Sequence, residues 1–187
     1  MQNRMEQIIQ EHNRVISDLW QQGDKKIISM AELIKQALHT GNTVFFMGNG
    51  GSAADSQHLA AEFVGRFQKE RKGLPAVALT TDTSILTAVG NDYGFEQVFC
   101  RQVEALAKPG DVVVGLSTSG NSPNVVKALE AANSIGAVTV GMTGRSGGKM
   151  ANLCHLCVCV PANVTARIQE AHILIGHMVC QLVDEGE

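Results

Sequence analysis

Two stretches of this chain carry side chains able to hold a metal ion and move protons. His58 and Glu62 are four residues apart, so on a helix they share one face. By spacing alone the pair also fits a solvated ion pair. A later stretch adds Gln169, Glu170, His172 and His177. At about 100° per residue, His172 lies roughly 60° from Gln169 on one side and His177 roughly 80° on the other. Either histidine can join Gln169 at one ligand, hardly both, and the spacing does not choose. Imidazole, carboxylate and amide donors together suit several divalent cations.

Other residues can hold an anion. Ser117, Thr118, Ser119 and Ser122 put four hydroxyls into six positions, ahead of Pro123 at a plausible first helical position. Hydroxyls and helix N-terminal amides bind phosphate without a permanent positive charge nearby, which suits a small phosphomonoester. A turn with Ser122 as helix cap accounts for one hydroxyl, not four. Gly48-Asn49-Gly50-Gly51-Ser52 lacks the spacing of a P-loop or a dinucleotide fingerprint, so ATP and NAD sites are not supported. Its glycines let backbone N–H groups approach an anion, and Ser52 is suited to cap the next helix; a plain tight turn with a cap is the alternative.

Two further clusters read as structural. Cys154-His155-Leu156-Cys157-Val158-Cys159 is a single knuckle with no second pair, and Cys157 and Cys159 fall in an apolar strand. Buried thiols fit better than a zinc ribbon, which needs two knuckles. Arg66, Lys69, Arg71 and Lys72, with Glu70, read as a solvated loop.

The elements around these residues alternate. Residues 1–40 read as helix: Ile8, Ile9, His12, Val15, Ile16 and Leu19 follow a spacing of three and four, resumed by Ile27, Ile28, Leu33, Ile34, Ala37 and Leu38 after Gln22-Gly23-Asp24. These stripes are expected to pack on the domain or on another subunit. Strands are then predicted over 43–47, 76–79, 111–116, 138–142 and 156–160. Helices are predicted over about 52–67, 84–89, 96–107, 123–134 and 165–183. Strand followed by helix, with continuously apolar strands, predicts an α/β fold with a doubly wound parallel five-stranded sheet covered on both faces. Such sheets bind ligands beyond the carboxyl ends of the strands, where both polar loops lie.

Composition narrows the class. The chain has 187 residues, 44% hydrophobic, 18% charged and 4% aromatic, with net charge -3. That fits one domain with a real core and argues against disorder. Weak negative charge and few aromatics do not indicate nucleic-acid binding. No apolar run is long enough to cross a bilayer, and the polar start, Met1-Gln2-Asn3-Arg4-Met5-Glu6, lacks a secretory signal. Five cysteines, an odd number, suggest reduced thiols in a cytoplasm.

Taken together, Gly48-Asn49-Gly50-Gly51-Ser52 with His58 and Glu62, Gly90-Asn91-Asp92-Tyr93-Gly94-Phe95, Ser117-Thr118-Ser119-Gly120-Asn121-Ser122 and Arg167-Ile168-Gln169-Glu170-Ala171-His172 resemble the phosphoheptose isomerases of the sugar isomerase (SIS) domain family. The motifs run in order over the whole length, as one SIS domain spanning 1–187 with 1–40 as a helical segment that packs in the oligomer. The resemblance implies a flavodoxin-like fold, a homotetramer with sites at subunit interfaces, and conversion of sedoheptulose 7-phosphate to D-glycero-D-manno-heptose 7-phosphate for lipopolysaccharide heptose. It assigns one zinc per subunit to His58, Glu62, Gln169 and His177, with Glu62 and His177 as the acid–base pair. Ser117, Thr118, Ser119 and Ser122 are implied to hold the phosphate. Asn49, Gly50, Gly51, Ser52, Asn91 and Asp92 are implied to contact the sugar, alongside Glu62 and Gln169. Some members have an acidic residue where this chain has Ala166. A non-catalytic SIS regulator, sensing phosphosugars or binding a replication initiator, is the alternative; the relative of that kind lacks the His/Glu pair and the late histidine.

Overall fold

The computed structural model describes residues 1–185, so the last two residues of the expected 1–187 domain lie outside the described residues. The chain opens with α1 (Gln2–His39), a single helix. Gly23 does not break it, because Val15, Leu19, Ile27, Met30 and Ile34 are buried along one stripe and outweigh one poor helix former. Then follow β1 (Val44–Gly48), α2 (Gly51–Val64), β2 (Ala76–Ala78), α3 (Thr83–Tyr93), a 3-10 turn (Phe95–Gln97) and α4 (Cys100–Leu106). The second half runs β3 (Val112–Ser117), α5 (Pro123–Ile135), β4 (Val138–Thr143), α6 (Met150–Leu153), β5 (Leu156–Cys159) and α7 (Thr165–Asp184).

The five strands are parallel, in the order β2-β1-β3-β4-β5. Strand residues alternate between two cores. Phe46, Val114 and Val140 meet α1, α2 and α7 on one face, while Phe45, Met47 and Val113 meet α4 and α5 on the other. This is the doubly wound arrangement expected from continuously apolar strands. The order reverses between β1 and β3, and at such a switch point the loops leaving two neighbouring strands diverge and leave a crevice.

Several boundaries differ from expectation, each for a local reason. α2 stops at Val64 rather than near residue 67, because Arg71 takes the carbonyls of Glu62 and Phe63 and Leu74 N–H takes that of Phe63. α3 runs on to Tyr93, its start capped by Asp82, whose carboxylate accepts from Ile85 N–H. The helix expected over 96–107 divides into the 3-10 turn and α4, and α6 arises unexpectedly ahead of β5.

Arg71 corrects the reading of residues 66–72 as a solvated loop. Its side chain is buried, its Nε donates to Asp184 Oδ1 at 2.6 Å, and the amides of Gln68 and Lys69 donate to Asp184 Oδ2. Burial alone raises the Asp184 carboxyl, but these donors outweigh it and hold the group below its ordinary range. The loop is thereby clasped to the end of α7.

Candidate active site

The two polar loops flank the switch point. After β1, Gly50 takes φ 57°, a conformation that favours glycine, and itself occupies the N-cap of α2. Ser52 is therefore not the cap expected from sequence: it lies inside the first turn, buried, its carbonyl accepting from Ser56 Oγ. Gly51 begins the helix with its α-carbon against the carboxamide of Gln169, which a Cβ there would displace. Gly50 and Gly51 are both exposed, and a Cβ on Gly50 would meet nothing within 4 Å, so the loop is open to a ligand there.

After β3, Ser117 ends the strand and its hydroxyl bonds Ser122 Oγ at 2.8 Å and Ser119 Oγ at 3.4 Å. Ser122 holds the N-cap position of α5 without making a side-chain cap bond, because its hydroxyl is turned toward Ser117. Gly120 has φ 66°, and a Cβ there would strike the Gly147 carbonyl. Thr118 supports the loop from behind, its carbonyl accepting from Gly144 N–H. Hydroxyls gathered at a helix N-terminus form a cradle for an anion. A cleft of about 570 Å³ opens beside it, lined by Asn49, Ser122, Asn124 and Lys127 among others. The sequence reading placed no cation near the cradle; Lys127 lies beside it, paired with Glu96 of the same cleft at 3.5 Å. Its signal was available, since it lies in the helix that the cradle opens.

The ionisable cluster sits where α2 meets α7. His58 Nε2 is 2.8 Å from His177 Nε2 and 3.2 Å from Glu62 Oε1. The ligand atoms of all three residues lie within 4.8 Å of one another. Phe67 stacks on the His177 ring at 5.4 Å between centroids and fixes its plane. His172 faces the opposite way: it is wholly buried, its Nε2 donates to the Thr143 carbonyl, and burial lowers its pKa to about 4. Of the two histidines, it is His177 that lies with His58 and Glu62. Gln169 is placed by its contact with Gly51 at the head of the same helix pair.

Two imidazole nitrogens and a carboxylate oxygen converging on one point are a donor set that zinc accepts. With 2.8 Å between the nitrogens, at most one proton fits between them, and a cation satisfies both lone pairs together. The residues therefore fit a divalent ion. Asp55 was missed by the sequence reading although it lies three residues before His58 on the same face of α2. Its Oδ2 is buried without a hydrogen-bond partner, and burial raises its carboxyl although the His58 charge pulls the other way.

Not every expected residue joins the cluster. Asn91 and Asp92 bond one another at the exposed end of α3. Asn49 spends its amide on Asn124. Ala166 is exposed on the first turn of α7 and offers no proton-transfer group. Among the cysteines, burial pushes Cys154 up to about 12 and Cys157 up to about 11, while His155 Nδ1 is engaged by Thr139. Thiols held protonated in this way are poor metal ligands.

Comparison with known proteins is consistent over the whole chain. A family model described as the SIS domain matches residues 7–144. The phosphoheptose isomerase of Aquifex aeolicus is 60% identical over 161 residues, 86% of this chain and 84% of that one. The structure of a phosphoheptose isomerase from Neisseria gonorrhoeae superposes with TM-score 0.93 at 45% identity, covering 98% of both chains. One from Francisella tularensis gives TM-score 0.95 at 33% identity, over 98% of this chain and 97% of that one. With its site motifs in order and these matches extending across nearly all of its length, this chain belongs to the SIS domain family, among the phosphoheptose isomerases.

Proposed function

We infer that this chain is an aldose–ketose isomerase that converts sedoheptulose 7-phosphate to D-glycero-D-manno-heptose 7-phosphate, a step toward lipopolysaccharide heptose. The observation that carries the reading is the convergence of His58, Glu62 and His177 in a chain whose relatives are named phosphoheptose isomerases. A regulator without catalysis would have no use for that cluster, and the alternative is not favoured.

The reaction moves one proton from C1 to C2 and another from the C1 hydroxyl to the C2 oxygen, through an enediol-type intermediate. In our reading Glu62 takes the C1 proton and returns it to C2, and His177 carries the proton between the two oxygens. Ser117, Thr118, Ser119 and Ser122, with the amides opening α5, hold the phosphate, so binding energy at the far end orients the reacting carbons. Asn49, Gly50, Gly51, Ser52, Asn91 and Asp92 complete the sugar site. Zinc held by His58, Glu62, Gln169 and His177 would supply Lewis-acid polarisation of the substrate oxygens.

The assembly proposed is a homotetramer. In the single chain, α3 buries none of its residues, and Met5, Ile9, Trp20, Tyr93 and Phe95 are exposed. A second subunit covering these faces would also bring Asn91 and Asp92 to a neighbour's cluster. We place the enzyme in the cytoplasm, where free thiols persist. Among the described residues, no helix is long and apolar enough to cross a membrane.

The direct test is incubation with sedoheptulose 7-phosphate, with and without a chelator, following aldose formation. Turnover that stops on chelation and returns with zinc supports the whole reading. Turnover indifferent to chelation removes the metal, and no turnover under any condition removes the activity.

A further inference from the structure

We propose that Gly176 is a positioning residue: by having no side chain it lets α7 close onto Leu59 of α2, and that contact sets the separation of His58 and His177. The proposal rests on the reading of the cluster as a divalent-cation site. A Cβ built on Gly176 would fall 2.3 Å from Leu59 Cδ2, 2.8 Å from Cδ1 and 3.1 Å from Cγ. The two residues in contact immediately adjoin the two histidines, Leu59 after His58 and Gly176 before His177. A change in the helix spacing at that contact moves the backbone that carries both imidazoles.

Leu59 has nowhere to retreat. It is 1% exposed and lies in the core shared by α1, α2, α7 and the sheet. Interiors are close-packed, so an added methyl moves the helices rather than the leucine. At the other end of the pair a Cβ on Gly51 would fall 2.5 Å from Gln169 Nε2, the tip of a flexible side chain, so that contact constrains the helices less. The order of the contacts, 51 with 169 and then 59 with 176, shows that α2 and α7 run in the same direction. The backbone does not itself call for glycine at 176, which is absent from the positive-φ positions and sits within a helix, where glycine is among the poorest residues. What remains to account for it is the approach.

The test uses the full chain, stripped by chelator, with zinc affinity read by competition against a chromogenic chelator. Gly176→Ala is expected to lose about tenfold or more in zinc affinity, the range seen when support behind metal ligands is removed. Its melting temperature should fall, since overpacking a closed core costs more than alanine's helix propensity returns. Leu59→Val shortens the obstructing side chain, and in the Gly176→Ala background it should restore affinity to within about threefold of Leu59→Val alone, with the imidazole separation telling repositioning from a general gain in stability. Crystal structures of the metal-free proteins should show the His58–His177 separation widened in Gly176→Ala and narrowed again in the double variant. Parental zinc affinity with an unchanged separation in Gly176→Ala overturns the proposal, as does failure of Leu59→Val to rescue. If the parent itself binds no zinc, the cation reading fails, and the imidazole separation alone then decides whether Gly176 positions them.

Discussion

Asn49 and Asn124 exchange two side-chain hydrogen bonds, Nδ2 of each donating to Oδ1 of the other at 2.9 and 2.8 Å. One residue follows β1 and the other begins α5, so the pair bridges the switch point between β1 and β3. Asn124 Oδ1 also accepts from Val125 N–H. The loop above α2 and the hydroxyl cradle are thus held as one unit, which keeps the two ends of a bound sugar phosphate at a fixed spacing.

A double-mutant cycle measures that bridge. Asn49→Ala and Asn124→Ala should each destabilise the protein, and their coupling energy from denaturant unfolding should be about 1–3 kcal/mol, the worth of two partly buried hydrogen bonds. Asn124→Ala should also raise KM for the sugar phosphate more than it lowers kcat. Additive effects would mean that the loops are held independently.

The two late histidines should separate cleanly. His177→Gln is expected to lose about 100-fold or more in kcat, the scale of one acid–base group, and to bind zinc more weakly. His172→Gln should keep its zinc, because its ring lies in the core against the Thr143 carbonyl. Glu62→Gln, measured with zinc loaded, should also fall by about 100-fold or more if Glu62 carries the C1 proton. Turnover and zinc titration on the three variants check these outcomes.

His172 should make the protein acid-sensitive. Burial lowers its pKa from the ordinary 6.5 to about 4, so the folded state excludes a proton that the unfolded chain binds. Stability is therefore lost as pH falls from about 6.5 to about 4 and is flat in this group below that, a contribution of about 3 kcal/mol. Unfolding free energies across that window should fall less steeply in His172→Gln than in the parent.

Arg71→Met should destabilise the protein by about 3–5 kcal/mol, since it strands the buried Asp184 carboxylate and frees the carbonyls closing α2. Asp184→Asn, which keeps an acceptor for the loop amides, should cost less. Chemical denaturation of both variants gives the comparison.

What the sequence determined by itself follows from local rules. Period and apolar runs in 43–47, 111–116 and 138–142 place three central strands, because a strand covered on both faces must be apolar throughout. Four hydroxyls ahead of Pro123 mark the cradle, because that density exceeds what a cap needs. His58 and Glu62 share a face by spacing alone. Tertiary structure decided the matters in which distant segments meet. His177 rather than His172 reaches His58 because α7 turns one side to the core, and helix periodicity does not say which side that is. Ser52 lost its expected cap role to Gly50 because the backbone turns into the helix two residues earlier. Arg71 became a buried clasp because Asp184, 113 residues away, ends α7 beside it. In each case the deciding energy is a contact between segments remote in sequence, and local pattern carries no record of it.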